Sequence, residues 1–356
     1  MGTYREPVKI VVDKEVPTTV AALNKTLIVT HEKNVDFKYY TSSAEVAEAF
    51  GNNSETYKLV EIFLSQTDGS GNILKPDFFS IVGVEKLQTA EATEENPEPK
   101  EETIEEYAGR VKEALNEVLG EEWYAFITTL NDPKMLTILR PFIVENRKYY
   151  IAETTTYPIA DTAKSDRILA YYNPTATEYK AAAYTGATIT VGAGAKSSLV
   201  EVAGVTADVT GGKKQELTQN NITFTEKRTS EGYIVANGGM ALDGTYLDET
   251  TAIDCIIVNL NENLQKNAIK KGYRQDDRGY ALVEDVLTKT LKEMGKIGLI
   301  AVLNGNYEYK VFPVTQTQTE REQRIMRPRV LFRLAGWGYF VDLTLQQTNK
   351  EIGGAN

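Results

Sequence analysis

From Leu27 onward, short β-branched runs alternate with amphipathic stretches of helical period, the order expected of an α/β sheet. Leu27-Ile28-Val29 reads as a buried strand. Ser42-Ser43-Ala44-Glu45 has the form of a capping box and predicts a helix closed by Gly51. A second helix from about Ser54 places Tyr57, Val60, Phe63 and Leu64 on one face, and residues 78–84 read as the next strand. Thr103-Ile104-Glu105-Glu106 is another capping box. Its helix carries Tyr107, Ala108, Val111, Leu115 and Val118 on one side and is expected to stop at Gly120. Residues 123–130 return as a strand. Asp132-Pro133 then caps a helix with proline at its first position, and Pro141 is expected to end or bend it. Two more strands follow at 148–153 and 167–172, after which Asn173-Pro174 predicts the start of an alanine-rich helix finishing at Gly186.

Residues 187–235 turn rich in Gly, Thr and Val with period-two stretches, the pattern of short strands and loops, and a boundary is expected near 232–244. Beyond it, Ile253, Ile256, Ile257, Leu260 and Leu264 mark a helix from about Thr250, and Tyr280, Val283, Val286, Leu287, Leu291 and Met294 mark another. Strands at 299–303, 307–314, 329–334 and 339–345 close the chain. Both ends are written as strands. Val8, Ile10 and Val12 alternate with Lys9, Val11 and Asp13, and Tyr339, Val341, Leu343 and Leu345 alternate with Phe340, Asp342, Thr344 and Gln346. The first run precedes the globular pattern by some ten residues, so it is an edge able to recruit another chain. The expected organisation is an N-terminal arm at 1–19, an α/β domain at 20–186, a β-rich connecting segment at 187–237, a C-terminal core domain at 238–343 and a C-terminal arm at 344–356. No repeat of 20 to 50 residues is visible.

Composition narrows the function. At 356 residues, 42% hydrophobic and 25% charged, the chain is an ordinary globular protein of about two domains. A formal charge of −11 disfavours nucleic acid and anionic lipid as partners. Much of that charge sits between 88 and 106, where eight glutamates face Lys100 and two prolines, and the first part of this stretch reads as an exposed loop. One cysteine and one histidine leave no disulfide and no Cys/His zinc site. No stretch approaches a membrane span, and the first residues lack the apolar core of a secretion signal.

Candidate chemistry fails on inspection. Val191-Gly192-Ala193-Gly194-Ala195-Lys196-Ser197 invites a phosphate-loop reading, but Ala195 and Thr190 occupy the positions that must be glycine. His31 beside Glu32 has no nucleophile motif to serve. Cys255 falls among helix isoleucines and reads as core, and Asp276-Asp277 reads as a helix cap. Arg321, Arg324, Arg327, Arg329 and Arg333 form the one basic cluster, interleaved with Glu320 and Glu322. It is either a solvated or internally paired face or a contact between subunits. The expectation is a protein with no catalytic residue, no metal and no cofactor.

Four stretches, in this order, resemble the tail sheath proteins of contractile phages, a family shared with contractile bacteriocins and related injection machines. They are 40–51 with Tyr57-Lys58 and 63–66; 186–205 leading to 217–224; 239–248 with the helix after it; and 295–301 with Arg321, Arg324 and the terminal strands. The resemblance implies an α/β (α+β) sheath-type core: a mixed sheet flanked by helices, a β-rich middle segment, and extended β-arms that add strands to neighbouring subunits. It implies a structural subunit that polymerises in six-fold rings around an inner tail tube protein and contracts to drive the tube through a cell envelope. Its partners would be further copies of itself, the tube, and baseplate and tail terminator proteins, within a virion tail or contractile particle assembled in a bacterial cytoplasm. Residues 5–19 and 338–356 match the family's arms. The helix from Thr250 would face the tube through Asn259, Glu262, Asn263 and Lys266. The acidic stretch is shorter than the surface insertions of many larger sheaths. The competing readings are another virion component (tube, baseplate or capsid) and an α/β enzyme with an unrecognised site.

Overall fold

The structure, a computed structural model, describes residues 20–87, 102–175, 177–207, 209, 211–228 and 233–338. Val8, Ile10, Val12, Tyr339, Val341, Leu343 and Leu345, expected in the arms, lie outside the described residues, as does the acidic segment 88–101.

The chain begins with β1 (Thr26–Thr30), β2 (Val35–Tyr40), α1 (Ser43–Phe50), α2 (Glu55–Leu64) and β3 (Phe79–Gly83). It continues with α3 (Ile104–Glu117), β4 (Ala125–Thr128), α4 (Pro133–Glu145), β5 (Tyr149–Thr154), β6 (Ile168–Tyr172) and α5 (Lys180–Thr188). The six strands form one sheet in the order β2-β3-β1-β4-β5-β6, in which only β2 runs antiparallel to its neighbour. Alternation along each strand sorts side chains to two faces. Ile28, Ile81, Ile127, Ile151 and Leu169 join a core with α2, α5 and the later helices, while Leu27, Val29, Val82, Phe126 and Tyr150 join a second core with α3 and α4.

The local start signals are used as written. Ser42 accepts from the Glu45 N–H, Thr103 and Glu106 close a reciprocal capping box, and Asp132 caps α4 with Pro133 at its first position. Three expectations need correction. Pro141 does not end α4, which runs through it to Glu145, because Pro141 lies on the exposed side while Leu139, Phe142 and Ile143 are buried and hold the helix to the sheet. α5 does not start at Asn173-Pro174. Asn173 instead accepts from Thr175 N in a turn, and the N–H of Ala181 in the first turn of α5 is satisfied by Glu153 Oε1, from β5, at 2.9 Å. Gly186 is not a stop: a Cβ there would lie 2.2 Å from the Phe63 carbonyl oxygen, so it marks where α2 and α5 touch.

The segment after α5 holds β7 (Val200–Glu201), α6 (Gly211–Gln219), β8 (Phe224–Arg228) and β9 (Tyr233–Asn237). The strands pair antiparallel in the order β7-β9-β8, so the connecting segment is β-containing as expected but also carries a helix. Tyr172 N donates to Thr223 O at 2.7 Å, and Thr223 N to Ala170 O at 3.0 Å, which joins this segment to the edge of the main sheet. Two long helices follow, α7 (Leu247–Lys271) and α8 (Asp277–Lys296). Cys255 is buried on α7, and Asp276 caps α8 through the Gly279 N–H, as their sequence contexts imply. One apolar core contains residues from β1, α5, α7 and α8, so packing does not break near residue 238.

A buried ionic cluster fixes α7 to the sheet. Asp254 accepts from Arg167 (2.6 and 2.8 Å), from Arg147 Nη2 (2.7 Å) and from the Tyr124 hydroxyl (2.9 Å). Tyr124, Arg147 and Arg167 each sit just before a parallel strand, so one carboxylate gathers the amino ends of β4, β5 and β6. Burial alone would raise the Asp254 pKa; the two guanidiniums outweigh it and hold the carboxyl below the ordinary carboxylate range. Nearby, Lys148 is fully buried, donates to Trp123 O at 2.6 Å, and lies 4.1 Å from the Trp123 ring centre, with no ion pair among the described residues. Burial lowers its ammonium pKa to about 7.

Asp254→Asn strands two guanidiniums and should lower the unfolding free energy by about 3–5 kcal/mol, read from urea denaturation. Lys148 acts through pH. Its folded pKa of about 7 lies below its unfolded value, so the unfolded chain binds the extra proton and stability should rise with pH across roughly 7 to 10. Lys148→Met should abolish that slope, a difference of a few kcal/mol between the two ends of the window. Equal slopes for both proteins would contradict the buried ammonium.

Candidate assembly surface

After α8 the chain builds two small antiparallel ladders. β10 (Val302–Leu303) pairs with β11 (Asn306–Tyr307), and β12 (Tyr309–Val311) pairs with β13 (Val330–Phe332), with the short helix α9 (Gln318–Glu322) between the last two. Gly295 allows this packing, because a Cβ there would stand 2.5 Å from the Tyr307 ring. Ala301 N donates to Arg333 O (2.8 Å) and Ala335 N to Leu299 O (3.0 Å), which brings the last described residues back beside the exit of α8. Val302 and Leu303 are about half exposed, at 55% and 51%. Short ladders with apolar side chains facing solvent are suited to accepting a further strand.

The two ends of the described chain meet around residues 192–194. Ala21 and Leu23 line a cleft of about 430 Å³ with Gly192, Ala193 and Cys255. Gly192 and Ala193 also line a neighbouring cleft of about 500 Å³ with Ile297, Leu299 and Trp337. The Trp337 indole N–H donates to Gly194 O at 2.9 Å. Val191, Ile297 and Trp337 are each more than half exposed. The expected arms would therefore leave the body from one region.

The phosphate-loop resemblance dissolves here. Gly194 N–H donates to Thr251 Oγ1 at 3.0 Å and Lys196 Nζ to Leu199 O at 2.8 Å, so amide and ammonium are both spent inside the molecule. His31 and Glu32 also do structural work: His31 Nδ1 lies 2.7 Å from Thr129 Oγ1, and Glu32 accepts from the Glu55 and Thr56 N–H groups at the start of α2. Burial opposes ionisation of Glu32, but the bonds from Thr56 and Glu55 prevail and its pKa falls. Burial pushes the Cys255 thiol up to about 11, where it is inert near neutral pH.

The structure divides the arginine cluster. Arg327 Nε lies 3.2 Å from Glu320 Oε1, the Arg329 guanidinium lies over the Phe312 ring at 4.1 Å, and Arg333 pairs with Glu308. Arg321 and Arg324 are exposed. The polar residues of α7 are divided too. Asn263 Nδ2 turns to Thr290 Oγ1 on α8 (3.0 Å) and Asn259 Nδ2 to its own helix at Cys255 O (2.8 Å), while Glu262 and Lys266 form an i,i+4 pair on the outer side. Ile269, 86% exposed on the same helix, and Trp337 are surface residues that sequence patterning missed. Ile269 lies beyond the last periodic apolar residue, Leu264, and a single tryptophan carries no period.

The assembled features are short ladders, the converging ends of the described chain and the packed pair α7 and α8. The chain matches no protein-family model and no curated protein. Among solved structures it is similar to the helical sheath of the anti-feeding prophage in its contracted state, with a TM-score of 0.68 at 16% identity over 98% of this chain and 99% of that one. It is also similar to the PVC sheath complex of an extracellular contractile injection system in its contracted state, with TM-score 0.63, 11% identity and 98% and 99% coverage. A sheath tail protein from Listeria innocua follows, with TM-score 0.57, 9% identity and 80% and 88% coverage. Mixed sheet, helical layers and small C-terminal ladders together give this chain, over nearly its whole length, the fold of contractile sheath subunits.

Proposed function

We propose that the chain is the structural subunit of a contractile sheath, which polymerises around an inner tube and contracts to drive that tube through a target envelope. The observation that carries the reading is the similarity in fold to the anti-feeding prophage sheath over 98% of this chain and 99% of that one. The partners are other copies of the chain, the tube, and the baseplate and terminator proteins at the two ends; a baseplate structure of the same prophage contains a chain of this fold. The particle is a phage tail or a related injection device, put together in the bacterial cytoplasm. No reaction is required of the subunit, in keeping with the structural duties of His31, Glu32 and Cys255.

Mechanism follows from joints rather than from a site. Residues 1–19 and 344–356, if they add strands to neighbours, tie subunits through main-chain hydrogen bonds that tolerate rotation and sliding. Head-to-tail contacts of this kind do not close on themselves and generate a helix. Assembly on the tube traps an extended arrangement, and release lets the lattice relax to one with more contact between subunits. The outer side of α7, at Glu262 and Lys266, is the surface assigned to the tube.

Purified full-length chain should form hollow striated cylinders under negative stain. Deleting residues 1–17 or 344–356 should leave the thermal melt of the body intact and abolish polymers in sedimentation. Long cylinders from either truncated protein would overturn the arm assignment.

A further inference from the structure

Asparagine followed by glycine is a step prone to lose its side-chain amide, because glycine has no Cβ to shield its backbone nitrogen from the neighbouring side-chain carbon. The chain contains two such steps, Asn237-Gly238 and Asn304-Gly305. The fold treats them in opposite ways.

Asn304-Gly305 is the two-residue turn joining β10 to β11, with Leu303 facing Asn306 and Val302 facing Tyr307 across the ladder. Both turn residues have positive φ, 50 and 79, as a tight hairpin demands. They are exposed, and a Cβ at Gly305 would meet no atom within 4 Å, so the turn stands in open solvent. The Asn304 side chain has no hydrogen bond to another described residue; its backbone carbonyl takes a long one from Asn306 Nδ2 at 3.3 Å. A ladder of two residue pairs opens at little cost, and that opening frees the turn to reach the geometry of attack.

Asn237-Gly238 is held at both reacting groups. Asn237 ends β9 opposite Phe224, and its side-chain nitrogen donates to Glu226 Oε1 at 2.8 Å. Glu226 is buried and also accepts from Arg228 Nε at 2.6 Å. The Gly238 N–H donates to Ser198 Oγ at 3.3 Å, and a Cβ on this glycine would stand 3.0 Å from Thr223 Cα. The attacking nitrogen is engaged and the leaving amide is tethered.

We propose that Asn304 is a modification site at which the folded chain deamidates, while Asn237 is protected. The Gly305 backbone nitrogen gives its proton to hydroxide and attacks Asn304 Cγ. A new C–N bond closes a succinimide ring, the Cγ–Nδ2 bond breaks, and the amide nitrogen takes a proton from water and leaves as ammonia. Water then adds to either ring carbonyl and reopens the ring as aspartate or isoaspartate, so the net reaction consumes one water and releases one ammonia. Aspartate puts a charge beside the half-exposed Leu303; isoaspartate inserts a backbone carbon into a two-residue turn and disturbs the register of Leu303 with Asn306.

The full-length chain, aged at mildly alkaline pH and digested with trypsin, gives fragment masses that locate each exchange of amide for acid. Asn304 should convert at least about tenfold faster than Asn237, and its rate should rise with pH as hydroxide does. In urea the two sites should convert at rates within about threefold of each other, since the same dipeptide then sits in open chain. Asn304→Gln, whose ring would need a sixth atom, should remove the fast product and leave Asn237 unchanged. Equal rates in the folded chain, or Asn237 reacting first, would overturn the proposal. So would a folded Asn304 that stays intact while the unfolded chain reacts. A ratio that persists in urea would assign the difference to local sequence rather than to the fold, and would overturn it too.

Discussion

The body of this molecule depends on one carboxylate. Asp254 lies where α7 crosses the amino ends of β4, β5 and β6, and its partners Tyr124, Arg147 and Arg167 come from three separate connections. Removing that charge from water is costly, and only several well-placed donors offset the cost. The return is geometric specificity: α7 can dock in only one register and at one height. Everything C-terminal to it, including α8 and the small ladders, inherits its position from that docking.

Much of the layered core was legible because its signals are local. Ser42, Ser54, Thr103, Asp132 and Asp276 each cap a helix within three residues of the cap, so their meaning survives without knowledge of the fold. What was illegible is what depends on distant neighbours. β2 mixes Asp36 and Lys38 among aromatics because it is an edge strand with one open side. α6 buries only Leu217 and so offers no apolar face to detect. The first turn of α5 finds its acceptor in Glu153, far back in the chain, which no nearby residue announces. Asp254 itself left one clue, an acid among isoleucines on a helix face, but its partners lie more than eighty residues away.

The assembly surface was legible in a different way. Periodicity placed α7 and α8, and the order of several weak motifs pointed to a sheath body whose fold the solved structures share at only 16% identity or less. Such divergence is expected where a subunit is selected for shape and joint geometry rather than for reacting groups, since many apolar sets fill the same layers. The finer division of surface residues was not legible. Asn263 looks like a solvent position by spacing, yet it is turned to α8 by a hydrogen bond to Thr290 that only the packed α7–α8 pair creates, whereas Asn259 bonds back to its own helix at Cys255.

On the proposed arm joints, the meeting of the two ends of the described chain around residues 192–194 would set the route of mechanical load. Tension applied at Val20 and at Trp337 crosses the molecule through the glycine turn, its bond to Thr251 and the first turns of α7. β1 starts only six residues after Val20, so the sheet shares such a pull through one of its interior strands.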